Sequence, residues 1–185
     1  MSRNRLKGGR IAIGTSGWTY ADWRGPFYPA DVRKADWLAW YAAQFDTTEI
    51  NGSFYRTPSL DAVRAWRGAT PRGFAFAWKA SKFITHWKRL NPDTCANSIA
   101  LMMTRLKILG SKTGPVLFQL PAAFTADRQR LAGFLKLLPR RYKYVFEFRH
   151  PSWYDEAVLD VLRDHDVALC LSDHHHAPSP WISTA

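Results

Sequence analysis

Short apolar runs alternate with segments of helical periodicity along most of the chain. The runs are rich in Ile, Val, Phe and Tyr, as expected for strands that are buried on both faces of a sheet. The predicted strands are residues 11–15, 48–51, 74–79, 116–120, 144–148 and 168–172.

The gaps between these runs carry apolar residues at helical spacing. Trp37, Tyr41 and Phe45 follow one another at intervals of four residues, which places them on one face of a helix. Ser59 and Thr125 are predicted N-caps of two further helices. The predicted helices cover residues 31–45, 59–68, 93–109, 125–138 and 155–164.

Alternation of strands and helices predicts parallel strands joined by right-handed crossovers. The first strand is followed by Gly14-Thr15-Ser16-Gly17, which is not the GxGxxG of a dinucleotide-binding sheet, and no phosphate-binding GxxxxGK[ST] follows elsewhere. We therefore expect an α/β fold of the TIM-like (β/α) barrel type. Only six strand units are visible where such a barrel has eight, so it is apparently truncated after the sixth strand, with about two C-terminal units missing.

Composition and cysteine usage narrow the class of protein. Hydrophobic residues make up 46% of the chain, enough for a substantial core. We expect a basic tail at residues 1–10 and one incomplete barrel domain at 11–185. The longest apolar runs are too short for a membrane span or a secretory signal, and Cys95 and Cys170 are isolated. A reduced cytoplasmic protein with no membrane partner is the expectation.

The positive charge is concentrated in the middle of the chain. The formal net charge is +11, and residues 79–143 hold 13 Lys and Arg against Asp93 and Asp127. Such a region can steer nucleic acid or small anions to the protein. A solvated surface formed by the outer helices is the other interpretation.

Polar residues collect where the predicted strands end, which is where the active site of a (β/α) barrel lies. Glu49 and Asn51 are two residues apart and are predicted to face the barrel interior together. Lys79 ends the third strand, where it can hold an anion, act as an amine nucleophile or simply pair with Glu49. Three more candidates lie at strand ends: Thr15 and Ser16 in the first turn, and Gln119 in the fourth strand.

The strongest local pattern is the fifth strand and the loop after it. Glu147 and Arg149 share one face, whereas Phe146 and Phe148 share the other. This spacing predicts phenylalanines toward the helices and a charged pair toward the barrel, either as a ligand site or as an internal ion pair. His150 follows at the start of the loop, with Trp153 as a wall for a ligand.

Asp173 and three histidines, His174 to His176, follow the sixth strand. Glu49, Glu147, Asp173 and one histidine have the donor types of a metal site, but histidines adjacent in sequence seldom converge, so we predict no metal. GxSxG and HExxH are absent from the sequence.

Taken together, these stretches resemble the YecE-like family, also known as domain of unknown function 72. The matching segments are IGTSGW at 13–18, EINGSFY at 49–55, FAFAWKA at 74–80, FQLP at 118–121 and EFRHPSW at 147–153. The resemblance implies a TIM-like barrel with a polar cluster at its carboxyl face, and it gives no substrate.

Three functions are consistent with the sequence. The first is an enzyme, or former enzyme, that acts on a small polar or anionic metabolite. Its proton-transfer and nucleophilic candidates are Glu147, His150, Glu49 and Lys79, and its ligand-binding candidates are Arg149, Asn51, Tyr55, Gln119, Trp153, Asp173, Thr15 and Ser16. The second is nucleic-acid binding or processing through residues 79–143, and the third is an inactive fragment. The sequence identifies no cofactor, and open sheet edges favour self-association.

Overall fold

The computed structural model describes residues 11–185. Six strands form one sheet in the sequential order β1 to β6, and every neighbouring pair is parallel. The strands are β1 Gly14–Thr15, β2 Thr47–Ile50, β3 Ala75–Lys79, β4 Thr113–Gln119, β5 Tyr144–Glu147 and β6 Ala168–Leu169. Within the described residues β1 and β6 do not pair with each other, so the sheet is an unclosed (β/α) barrel, as the sequence predicts.

Helices fill the connections between these strands. They are α1 Trp37–Ala42, α2 Gly52–Tyr55, α3 Leu60–Gly68, α4 Pro92–Leu109, α5 Arg128–Leu135 and α6 Glu156–Asp164. A π-helical turn, Phe83–Trp87, follows β3, and a 3₁₀ turn, Pro151–Tyr154, follows β5. No helix among residues 11–185 combines the length and the apolar composition that crossing a bilayer requires.

Alternation along the strands separates a helix-facing layer from an interior face. Phe76, Trp78, Phe118 and Phe146 are buried against the helices. On the interior face, Lys79, Leu117 and Val145 keep partial exposure, because the sheet does not close around them. Gln119 and Glu147, on the same face, are buried. The polar ends of the strands therefore face an open trough instead of a sealed barrel interior.

Two sequence expectations about element ends are wrong. Helix α5 begins at Arg128, and its N-cap is Asp127, whose carboxylate accepts a hydrogen bond from the Arg130 N–H. Thr125 lies outside the helix, because the chain forms a turn after Pro121 before it becomes helical. The first and last strands are also shorter than 11–15 and 168–172, since each pairs along one side only.

The start of the sheet is held by a glycine and a tyrosine. A Cβ atom on Gly14 would lie 1.9 Å from the Thr47 carbonyl oxygen, so only glycine allows β1 and β2 to approach this closely. The fully buried Tyr41 hydroxyl accepts a hydrogen bond from the Thr15 N–H at 2.7 Å and donates one to the Thr47 carbonyl at 3.0 Å. Helix α1 is thereby fixed to both strands.

The outer side of β6 is covered by the chain's own last residues. The Thr184 hydroxyl accepts a hydrogen bond from the Leu169 N–H at 2.8 Å and donates one to the Val167 carbonyl at 2.7 Å. This side chain is buried. It satisfies backbone groups that a neighbouring strand would otherwise bond.

Candidate functional site

The ends of β2 and β3 bring one carboxylate and one ammonium group together. Lys79 Nζ lies 3.6 Å from Glu49 Oε1, and both side chains are largely buried. The Ser16 hydroxyl donates to the same oxygen at 2.6 Å. Ser53 ties the two strand ends together, because its hydroxyl bonds the Ile50 and Lys79 carbonyls.

A second charged pair lies at the ends of β4 and β5. Gln119 Nε2 donates to both oxygens of Glu147, at 2.8 and 2.7 Å, and Arg149 Nε donates to Oε1 at 2.9 Å. Phe148, between the two charged residues, is fully buried and stacks on Trp153. The predicted arrangement, with phenylalanines toward the helices and Glu147 and Arg149 on the interior side, matches these contacts.

The two pairs share one electrostatic environment. Burial raises the pKa of Cys170, just after β6, to about 11, and the charges of Glu147 and Glu49 both contribute to the rise. Burial also lowers the pKa of His86, and the charges of Lys82, Arg149 and Lys79 lower it further. The charges of both carboxylates thus act on one thiol, and the charges of the cations of both pairs act on one imidazole.

His86 is a site residue that the sequence interpretation missed. The π-helical turn after β3 carries it over the strand ends, where its ring meets Phe54 edge-on at 5.0 Å and its Nδ1 bonds the Thr85 hydroxyl at 2.9 Å. Lys79 Nζ lies 5.5 Å from the same Phe54 ring. Only its position in the chain could have predicted this role, because the loops that follow the strands of a (β/α) barrel form the face that carries the active site.

Two predicted ligand residues face away from this cluster. The Thr15 hydroxyl bonds the Gly17 carbonyl and the Tyr41 hydroxyl, so it belongs to the helix-facing layer. Asn51 does not continue the alternation of Glu49, because β2 ends at Ile50 and Asn51 already has helical dihedral angles. It lines a separate groove of about 720 Å³ beside Trp18.

Four more candidates are placed differently from the prediction. Trp153 is fully buried and donates its indole N–H to the Phe124 carbonyl, so it packs in the core and cannot wall a ligand. His150 Nδ1 caps the 3₁₀ turn by accepting from the Ser152 N–H at 3.2 Å. Tyr55 is 76% exposed and lines cavities outside the cluster. Asp173 is exposed and has no hydrogen bond or ion pair with the cluster among the described contacts.

The described residues contain no group of three His, Cys, Asp or Glu side chains placed to hold one metal ion. The hypothetical set of Glu49, Glu147, Asp173 and a histidine therefore does not form. The strand-end cluster contains two carboxylates, Glu49 and Glu147, each paired with a cation, and the imidazole of His86 beside Phe54. Such a set can orient a polar molecule and can accept or donate protons.

Comparison with known proteins identifies the family. The model of the family described as "Protein of unknown function DUF72" matches residues 12–185. The chain belongs to this family. The UPF0759 protein YecE of Escherichia coli K12 is 31% identical over 146 residues, which are 78% of this chain and 50% of YecE. The chain spans about half the length of the curated DUF72 relatives that it matches.

Crystal structures of other DUF72 proteins have the same fold. One from Thermotoga maritima MSB8 is 25% identical, with a TM-score of 0.78 over 94% of this chain and 70% of that one. Another, from Enterococcus faecalis V583, is 19% identical, with a TM-score of 0.75 over 95% of this chain and 67% of that one. These relatives support the barrel-like architecture.

Proposed function

We propose that the strand-end cluster binds a small polar metabolite with an anionic group, and that the protein is an enzyme, or a former enzyme, acting on it. The observation that carries this proposal is that the pairs Glu49–Lys79 and Glu147–Arg149 both lie at strand ends on the interior face. His86 contacts the same Phe54 ring as Lys79, and the charges of Lys79 and Arg149 both act on it. Buried charged pairs are costly to desolvate, and strongly perturbed groups cluster at functional sites.

Arg149 is the proposed anion-binding group. Its Nε is held by Glu147, which fixes the guanidinium plane and leaves two further NH₂ groups that can form the paired hydrogen bonds favoured by carboxylates and phosphates. About a third of its side chain is exposed, in contrast to the better-buried Glu147. Lys79 adds a second cation on the same face.

Proton transfer is assigned to Glu49 and His86. The lowered pKa of His86 keeps its imidazole neutral near pH 7, the form that accepts a proton. His150 is less suited to the role proposed from the sequence, because its Nδ1 serves as a cap. The chain covers half of its curated relatives, so a residue from another part of a longer protein can complete the reaction.

A thermal-shift screen with sugar phosphates and small carboxylates tests the proposal. We expect at least one compound to raise the melting temperature of the wild type, since a ligand at roughly 100 times its Kd stabilises the native state by about 2.7 kcal/mol. Arg149→Ala should abolish the shift, and Glu147→Gln should reduce it. Arg64→Ala, in an exposed ion pair with Asp61, is the matched control and should respond like the wild type.

Equal responses in all four proteins would remove Arg149 and Glu147 from the proposal. A wild type that responds to none of the compounds would favour the inactive-fragment interpretation.

A second candidate function, nucleic-acid binding, is favoured by the basic and aromatic side chains of residues 82–88. Lys82 and Lys88 lie over the rings of Trp87 and Phe83, at 5.9 and 5.4 Å. Fluorescence anisotropy with single-stranded and duplex oligonucleotides at two salt concentrations tests it, because phosphate contacts make affinity fall steeply with salt. Absence of binding at low salt would eliminate this function.

A further inference from the structure

We infer that the protein has a second site, behind β3, which binds a small aromatic anion. The cavity has a volume of about 340 Å³ and lies between α2, the π-helical turn and α4. Its lining includes Tyr55, Trp78, Lys82, Phe83, Trp87 and Ser98. This inference does not depend on the function proposed for the strand-end cluster.

The cavity and the cluster lie on opposite faces of the same strand. Trp78, which lines the cavity, is buried on the helix side of β3, whereas its neighbour Lys79 faces the interior and pairs with Glu49. Successive side chains of a strand point to opposite faces. The Phe54 ring lies at the boundary between the two sites, because it lines the cavity and also contacts Lys79 Nζ and the His86 ring.

Aromatic rings give the cavity its preference for a flat ligand. Trp87 is 68% exposed and Tyr55 is 76% exposed, although both rings line the same cavity. Phe83 adds a third ring, in edge-on contact with Trp87 at 6.2 Å. A planar ring that enters here removes apolar surface from water and stacks on these side chains, which gives affinity without specific base recognition.

Lys82 supplies the charge preference. It lines the cavity, its Nζ lies 5.9 Å from the Trp87 ring, and none of the ion pairs among residues 11–185 includes it. An anionic substituent on the bound ring would be next to this ammonium group. The hydroxyl of Ser98 lies in the lining as a hydrogen-bonding group.

The backbone around the cavity is unusual in a way that is common at binding sites. The turn Phe83–Trp87 is π-helical, a form that is rare and often found at functional sites. Arg89 and Leu90 follow with positive φ angles of 46° and 61°, and Leu90 is fully buried. Two consecutive non-glycine residues in the left-handed region are strained and persist only where packing holds them.

The size of the cavity limits the ligand. A volume of about 340 Å³ lies near the lower end of the range for small-molecule sites, roughly 300–1,000 Å³. It suits one ring system with one short anionic substituent. A mononucleotide fits if only its base enters and its phosphate remains at the rim beside Lys82.

Ligand-observed NMR with saturation transfer tests the inference on the full chain. The probes are indole-3-carboxylate and AMP, and each is compared with two partner compounds. Indole and adenosine are the neutral partners, which lack the anion. Acetate and ribose 5-phosphate are the ring-free partners, which lack the aromatic ring. The probes are compared in Arg149→Ala, which lacks the anion-binding group proposed for the strand-end cluster. There we expect saturation transfer to the aromatic protons of at least one aromatic anion, weaker binding of its neutral partner and the weakest binding of its ring-free partner.

Variants then locate the binding. Trp87→Ala should weaken the affinity for the aromatic probe by roughly tenfold, because ring stacking contributes on that scale. Lys82→Gln should weaken the anionic probe and leave the neutral ring unchanged, and Ser98→Leu should block the cavity. Trp181→Ala and Lys107→Gln are matched controls, because these residues lie outside the cavity lining. Glu147→Gln tests whether the probe binds at the strand-end cluster instead.

The inference would be overturned by the absence of transfer to either aromatic anion at low-millimolar concentration, or by equal binding to the wild type and to Trp87→Ala. Loss of binding in Glu147→Gln would also overturn it, by moving the ligand to the strand-end cluster. If a short single-stranded oligonucleotide also binds, and Trp87→Ala weakens its binding as much as that of the small probes, the site is supported. The natural ligand would then be a nucleotide within a polymer.

Discussion

At the scale of single residues, one tyrosine hydroxyl substitutes for part of a strand ladder. Tyr41 bonds the Thr15 N–H and the Thr47 carbonyl, so its loss leaves a donor and an acceptor buried without their partner. The two strands that it joins carry Ser16 and Glu49, and the hydroxyl therefore also supports the candidate site.

We expect Tyr41→Phe to lower the free energy of unfolding by about 1–3 kcal/mol, the usual cost of leaving a buried polar group unsatisfied. Chemical denaturation followed by far-UV circular dichroism measures this change. Tyr55→Phe, at a highly exposed ring, is the control and should stay within about 0.5 kcal/mol of the wild type. Equal stability of the two variants would contradict the bridging role of Tyr41.

His86 makes a separate prediction about pH. Its pKa in the folded protein lies below the ordinary value of 6.5, first through burial and then through the charges of Lys82, Arg149 and Lys79. The unfolded chain therefore binds a proton more readily, so stability should fall as the pH drops from about 7 to about 5.

Thermal melts of the wild type and His86→Asn across this pH range test the sign. The variant should lose part of the pH dependence, whereas the control His176→Asn, at an exposed histidine, should keep it. A variant with an unchanged pH profile would show that His86 titrates as it does in the unfolded chain.

At the scale of elements, helix caps decide where the chain enters and leaves the barrel wall. Ser59, Asp127 and Asp155 each accept a backbone N–H hydrogen bond at the start of a helix, and Gly110, with a positive φ, ends α4. Ser59 was predicted from the sequence, but Thr125 was chosen for α5 in place of Asp127.

Asp127→Ala should destabilise the protein by about 1 kcal/mol, because it removes the N-cap of α5, and Thr125→Ala should have little effect. Urea unfolding of the two variants in parallel distinguishes them. A larger loss of unfolding free energy in Thr125→Ala than in Asp127→Ala would support Thr125 as the N-cap of α5, as expected from the sequence.

Sequence alternation predicted the elements and the facing of their side chains wherever a strand stays regular. Phe146 and Phe148 pack outward and Glu147 inward because the alternation continues through β5 and just beyond it. The prediction failed at Asn51, where the chain turns helical, and at Trp153, whose ring is buried by the 3₁₀ turn after β5. His86 was missed because a π-helical turn leaves no periodic pattern in the sequence.

At the scale of the whole molecule, the arrangement of the strand ends determines which charged side chains act on one another. Cys170, next to β6, has a raised pKa, first through burial and then through carboxylates on β5 and β2. The charges of carboxylates on two different strands thus act on this thiol, so its reactivity tests whether the strand ends converge.

Alkylation of Cys170 by iodoacetamide near pH 8 tests the convergence. Glu147→Gln and Glu49→Gln each remove a negative charge, so each should favour the thiolate and speed alkylation severalfold. Glu156→Gln, at an exposed carboxylate of α6, should leave the rate unchanged. Peptide mass spectrometry separates Cys170 from the fully buried Cys95. Unchanged alkylation rates in both test variants would mean that neither carboxylate acts on the Cys170 thiol.

Self-association through open sheet edges stays a prediction, and the structure makes it specific to one edge. Ile11 and Ile13, beside β1, are 84% and 65% exposed, whereas the edge of β6 is covered by Thr184. We expect the wild type to associate with rising concentration in sedimentation velocity, Ile13→Lys to reduce this, and Leu171→Lys, beside β6, to have a smaller effect. A monomer at all concentrations would count against association.

The contact of Thr184 with β6 turns strand addition at that edge into a competition. An incoming strand gains the Leu169 N–H only after the segment that contains Thr184 has detached, so its apparent affinity is lowered by the free energy that holds this segment in place. The protein thus carries an internal competitor for its own sheet edge, which discourages indiscriminate pairing while leaving the edge accessible to a sufficiently strong partner strand.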